Sequence, residues 1–194
     1  MVPDIIPDDL PIIEFATSAE WETWLEEHHS DAPGLWIKMA KKASGIPSVT
    51  HPEAIDVALC FGWIDGQRRS YDTDWFLQRF TPRRAKSRWS QINREKVERL
   101  TELGLMRPAG QLEVDRARAD GRWDAAYPSA RNLEVPDDLR LALEAAQGAA
   151  AAFAGLNAGD RYVILYRLFH TAEPEARSRI IGKTLTGLLG DDPT

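Results

Sequence analysis

The chain has 194 residues, enough for one good core or for two small lobes that share an interface. Hydrophobic residues at 43% and charged residues at 28% match ordinary globular usage, and a net charge of −6 argues against a protein that coats DNA wholesale. Cys60 is the only cysteine, which excludes an intrachain disulfide and a thiolate metal cluster and fits a reducing cytoplasm.

Residues 1–11 read as a loose tail. Met1 to Leu10 is rich in Pro and Asp and has neither a basic nor an apolar signal region, so no export signal is expected. No apolar run approaches membrane-spanning length, so no membrane insertion is predicted. Ile12 to Phe15 reads as a short strand. Thr17 and Glu20 have capping-box spacing, and Trp21, Trp24, Leu25 and His28 then mark one face of a helix. Pro33-Gly34 breaks it, and Leu35 to Ala40 alternates as a strand. Thr50-His51-Pro52-Glu53 offers a second capping box before a helix with its apolar stripe at Ala54, Val57, Ala58 and Phe61. Gly62 ends that helix. Trp63-Ile64-Asp65 begins a strand, and a turn near Asp72-Thr73-Asp74 returns the chain as Trp75 to Phe80.

From Ser87 the period becomes helical, through Trp89, Asn93, Val97 and Leu100 to Gly104, and Pro108 opens a further helix towards Gly121. Pro128 to Asp138 reads as the best linker. Helical stretches follow at Leu139–Ala146, in the Ala-rich piece ending near Phe153, at Arg161–His170, and from Pro174 to a stop at Gly190-Asp191-Asp192. The third is apolar around much of its circumference and is expected to be central. The fold class is therefore α+β, an N-terminal β-α-β-α-β-β lobe followed by a C-terminal helical part. Three segments are expected: residues 1–86 as the lobe, 87–127 as a helical extension, and 128–194 as a helical subdomain.

The segment from Gly66 to Arg99 stands out, with ten basic residues against four acidic ones in a chain whose total is negative. Arginines alternate there with Trp75, Phe76, Phe80 and Trp89. Arg79, Arg83, Arg84, Ser87 and Ser90 lie along a strand-to-helix connection. Helix N-termini attract anions, and guanidinium groups match phosphate or carboxylate bidentately. The expected ligand-binding set is Trp63, Asp65, Arg79, Arg83, Arg84, Ser87, Trp89 and Ser90, with Trp63 and Trp89 as pocket walls. Its expected partner is an anionic small molecule. The bland alternative is that the arginines simply pair with the chain's surplus acids.

Other groups are weaker signals. Asp65, flanked by Trp63 and Ile64, could serve as a general base with arginines steadying negative charge, or could pair with Arg68, Arg69 or Arg83. A protein- or single-stranded nucleic-acid-interaction module is a further alternative, with arginine on the backbone and aromatics stacking bases. Cys60 lies too far along its helix from His51 to be activated by it and reads as core. His51 is expected to be exposed. His28, His29, His51 and His170 show no metal-ligand spacing, so no metal and no cofactor are expected, and whether any reaction is catalysed stays open. Asp120-Gly121-Arg122-Trp123-Asp124 reads as a structural lock.

The run Glu53-Ala54-Ile55-Asp56-Val57-Ala58-Leu59-Cys60-Phe61-Gly62-Trp63-Ile64-Asp65-Gly66 resembles the YdeI/OmpD-associated, or bacteriocin-protection, family. So do Arg79-Phe80-Thr81-Pro82-Arg83-Arg84, Ser87-x-Trp89-Ser90-x-x-Asn93 and Asp120-Gly121-Arg122-Trp123-Asp124-x-x-Tyr127. These motifs span most of residues 15–127. Where such proteins carry an Ala-Lys and a Glu-Thr-Arg pattern before the last helix, this chain has His170-Thr171 and Glu175-Ala176-Arg177. The resemblance implies a bacterial, cytoplasmic protein linked by name to envelope stress or antimicrobial-peptide tolerance. It implies no reaction and no catalytic residues.

Overall fold

A computed structural model describes residues 10–129 and 132–190. The loose tail at residues 1–9 and the stop at Asp191-Asp192 lie outside the described residues, as does part of the linker. The chain divides into two compact units, residues 1–126 and 127–194.

The first unit has the predicted order: β1 (Ile12–Glu14), α1 (Ser18–His28), β2 (Leu35–Ala40), α2 (His51–Cys60), β3 (Trp63–Ser70) and β4 (Trp75–Pro82). A 3-10 turn, Lys42–Ser44, interrupts the loop before α2. The strands form one sheet in the order β1-β2-β4-β3. β1 runs parallel to β2 through the α1 crossover, while β4 is antiparallel to both β2 and β3. Two helices follow, α3 (Gln91–Glu102) and α4 (Pro108–Ala119).

Strand alternation explains how the core forms. Leu35, Ile37, Met39 and Phe80 point to one face, where they join Trp21 and Leu25 of α1 and Ala54, Ala58 and Leu59 of α2 in one buried cluster. Trp36 and Leu77 are also buried but belong to the opposite face, outside that cluster. Both helix starts are capped. Thr17 and Thr50 accept the amides of Glu20 and Glu53, and Glu53 reaches back to Thr50 as predicted. In α1 the returning Glu20 carboxylate instead accepts from Ala16, one residue earlier.

A bulge separates Asp65 from Arg68 in β3. Such an irregularity frees backbone groups that a regular ladder would pair. Gln78, 2% exposed, supplies the remedy by donating its amide to the carbonyls of Gly66 (2.9 Å) and Gln67 (3.3 Å). The α2–β3 corner is equally tight. Gly62 takes φ +75°, and a Cβ there would lie 2.9 Å from the Ala109 carbonyl. Gly110 lets α4 sit on the end of α2, where a Cβ would meet the Cys60 carbonyl at 2.2 Å. Asp56 of α2 pairs with both Lys96 and Arg99 of α3.

The second unit contains α5 (Asp137–Ala145), α6 (Ala149–Gly155), α7 (Ala158–Phe169) and α8 (Pro174–Leu189). Its core is Leu139, Leu143, Ala149, Phe153, Leu165, Leu168 and Ile181. The sequence made α7 central, and the structure corrects this. Leu165 and Leu168 are buried, but Val163 and Phe169 are about half exposed, at 48% and 49%. Apolar residues all round a helix predict burial only when partners exist on every side, and this unit has too few helices to provide them.

Candidate functional site

The Arg79–Ser90 connection is largely occupied with holding the fold together. Trp63 is a core residue rather than a pocket wall. Its ring is 1% exposed and meets Trp21 and Trp24 edge-on, and its Nε1 donates to the His29 carbonyl at 3.1 Å. Arg83 is buried. Its guanidinium lies 3.6 Å from the Trp89 ring, its Nη1 donates to the Arg88 carbonyl, and its amide donates to the Gly62 carbonyl. The far edge of Trp89 packs against Trp123 at 5.0 Å. A desolvated cation over an indole is worth about 2 kcal/mol, which makes this pair a structural clamp.

The two serines are caps. Ser87 Oγ accepts from the Arg84 amide at 2.9 Å, and Ser90 Oγ accepts from the Asn93 amide at 3.1 Å. Ser90 is therefore the N-cap of α3, which begins at Gln91 rather than at Ser87. Arg84 is exposed, and Arg79 is half-buried on β4 opposite Trp36. The Asp120–Asp124 motif belongs to the same clamp. Arg122 pairs with Asp120 and donates to the Ser87 carbonyl, while Arg94 and Arg118 lie over Trp123. Tyr127 belongs to the second unit, where its ring meets Tyr166.

Among the described residues, Asp65 forms its ion pair with His51 rather than with Arg68 or Arg69. Its Oδ2 lies 3.1 Å from His51 Nε2. His51 is consequently half-buried rather than exposed, because the first turn of α2 faces the Asp65 position on β3. A carboxylate oxygen only accepts, so His51 Nε2 is the donor in this bond, and the bond fixes the orientation of the ring.

His51 also lines a hollow of about 580 Å³ between the end of β2, the loop into α2 and the bulged part of β3. Met39, Val49 and Phe76 supply apolar surface, and Lys41, Lys42 and Arg68 supply positive charge. Among the described residues, no acid lines it. Arg68 lies 4.0 Å over Phe76, and Lys41 Nζ donates to the Asp72 carbonyl at 2.6 Å. The partial positive charge at the α2 N-terminus adds to this field. Cations, aromatic surface and a pinned imidazole together can hold a small anion and exchange a proton with it.

Sequence reasoning missed Lys41, Lys42 and His51. The available signal was a Lys-Lys pair and a capping box on either side of one short loop, which folds the two onto each other. Among the described residues no group of three or more His, Cys, Asp or Glu side chains is placed to hold a metal ion. Cys60 is buried, and burial pushes its thiol up to about 11.

Residues 13–113 match a family model described as Domain of unknown function (DUF8412). The chain belongs to that family. The match takes in the sheet from the second residue of β1 and all the residues that line the hollow. A second match, over residues 132–189, is to the family described as Bacteriocin-protection, YdeI or OmpD-Associated. The resemblance to that family is therefore found, but in the C-terminal helices rather than in the Trp- and Arg-rich motifs that suggested it. No curated protein and no solved structure matches the chain. No helix among the described residues is long and apolar enough to cross a membrane.

Proposed function

We propose that the first unit binds a small anionic molecule, carrying phosphate or carboxylate, in the hollow beside His51. The observation that carries this reading is the hollow's lining: three cations and a histidine with no acid among them. Its volume lies in the range of roughly 300–1,000 Å³ common for small-molecule sites. The anion site proposed here lies away from Arg83 and Trp89, whose guanidinium and ring stack on each other in the interior. Asp65 stays in it as the residue that orients His51.

A thermal-shift series with inorganic phosphate, adenosine monophosphate and citrate tests the proposal on the full chain. A ligand at 100 times its Kd stabilises by about 2.7 kcal/mol, a shift of several degrees for a unit of this size. At least one of the three anions is expected to stabilise the protein, and Lys42→Gln/Arg68→Gln is expected to remove that effect. No shift with any of them, or an unchanged shift in the double variant, overturns the reading.

The His51–Asp65 bond favours a second reading, in which the bound anion is also a substrate and His51 moves a proton at Nδ1. Turnover abolished by His51→Asn with ligand affinity retained would distinguish it from binding alone. The bacteriocin-protection match over residues 132–189 is the support for a role in antimicrobial-peptide tolerance, and a cytoplasmic location is proposed only on the resemblance of the N-terminal motifs.

A further inference from the structure

The second unit carries a different hollow, of about 470 Å³, between one face of α7 and one face of α8. Asp160, Val163, Ile164 and Arg167 form the α7 side at helical spacing, and Ile180, Lys183, Thr184, Gly187 and Leu188 form the α8 side. The chemistry along this groove is ordered. Asp160 stands in the first turn of α7, where Asn157 Nδ2 donates to its carboxylate at 2.6 Å. Arg167 stands in the last turn of α7, and Lys183 lies midway along α8. Among the described residues, neither cation has an acidic partner within ion-pair distance. Val163, 48% exposed, leaves the middle of the apolar wall open, and nothing crowds the Cα of Gly187 at its far end.

We infer that this groove binds a free single-chain carboxylate amphiphile, such as a medium-chain fatty acid, with its head at Arg167 and Lys183 and its chain along Val163, Ile164, Ile180 and Leu188. Charge decides the head group. The one acid lies at the end away from Arg167, while both cations are exposed, so a head group at Arg167 and Lys183 gains two cationic partners as an anion and meets repulsion as a cation. Shape decides the rest. A groove whose lining is mainly apolar, with its cations at Arg167 and Lys183, suits a chain with one anionic head better than a compact, fully polar anion. The proposal stands apart from the anion site of the first unit, since it uses other residues and needs an apolar tail.

Isothermal titration of the full chain with octanoate, decanoate and dodecanoate, all below micelle formation, tests it. Single-site binding is expected, tightening about fourfold per added methylene until the trough is full. Dodecyltrimethylammonium is expected to bind at least tenfold more weakly than dodecanoate. Arg167→Gln/Lys183→Gln is expected to weaken dodecanoate about tenfold with an unchanged melting curve, and Val163→Asp to weaken it at least as much. Lys42→Gln/Arg68→Gln is expected to leave dodecanoate binding intact, so failure here and failure of the first-unit site are separable. No dodecanoate binding overturns the inference. So does equal affinity for the cationic amphiphile, indifference to Arg167→Gln/Lys183→Gln, or binding seen only with phosphatidylglycerol vesicles.

Discussion

His51 Nε2 lies 3.1 Å from Asp65 Oδ2, across 14 residues of sequence, and so ties the first turn of α2 to the start of the β3 bulge. The contact joins the edge of the basic hollow to the sheet beneath it. Asp65→Ala is expected to lower stability by about 1 kcal/mol in urea denaturation, the usual net value of a half-buried hydrogen bond. Asp65→Asn, which can still bond the ring, is expected to cost less. It should nonetheless weaken whatever anion stabilises the wild type, because the imidazole loses the charge that orients it. Asp65→Ala with unchanged stability would remove the tie from the account.

Two glycines in helices are expected to respond in opposite directions to the same change. Gly110→Ala puts a Cβ 2.2 Å from the Cys60 carbonyl, and neither backbone can retreat without opening the α2–α4 contact. It is expected to cost about 3 kcal/mol or more. Gly182→Ala in α8 meets nothing within 4 Å and is expected to stabilise by about 0.5–1 kcal/mol through the unfolded chain. Equilibrium unfolding of both variants reads the contrast directly.

The Cys60 thiol is pushed up to about 11 by burial, with the nearby carboxylate of Glu22 acting in the same direction. A thiol held so far above its ordinary range has roughly 100-fold less thiolate at pH 8, and alkylation slows in proportion before steric protection is counted. Iodoacetamide is therefore expected to label the urea-unfolded chain in minutes and the native chain hardly at all. The folded state holds this proton where the unfolded state releases it. Stability is thus expected to fall as pH rises from about 9 to 11, a loss of about 2–3 kcal/mol from this group alone. Rapid native labelling would show that Cys60 is reached without global unfolding.

In the second unit, Arg177 Nε and Nη2 grip the Asp138 carboxylate at 2.7 and 2.9 Å, and Nη1 donates to the Leu168 and Thr171 carbonyls. The arginine thus closes the end of α7 onto α5. Its hydrogen bonds hold the Asp138 carboxyl below the usual carboxylate range. That contribution is fully present above the unfolded value near pH 4 and is lost as pH falls through the lower folded value. Solvent screening keeps it small, under about 1 kcal/mol. Arg177→Ala is expected to cost more, about 1–3 kcal/mol, since two carbonyls lose their donor as well. Amide exchange of α7 and α5 checks both effects, and equal protection in Arg177→Ala would contradict them.

Much of the architecture was legible in short-range pattern. The Thr50–Glu53 box, the alternation of Leu35, Ile37 and Met39, and the breaks at Gly62 and Gly104 are local signals, and each produced the element it predicts. The basic segment was legible as a concentration of charge but not as an arrangement. Composition cannot say whether Arg83 faces a ligand or the Trp89 ring, because the same cation, aromatic and hydroxyl set serves both ends.

The sequence by itself determined which segments would be helical and which extended, since these follow from periods of two and 3.6 residues and from caps a few residues apart, whereas the burial of Trp63, His51 and α7 depended on what packs against them. Only the tertiary structure decided where charge is spent and where it stays open. Arg83 meets Trp89 within one local turn, whereas Lys41, Lys42, His51 and Arg68 are gathered by a loop, a helix N-terminus and a bulge. A site built across three elements depends on how those elements pack, and no run of neighbouring residues carries that information.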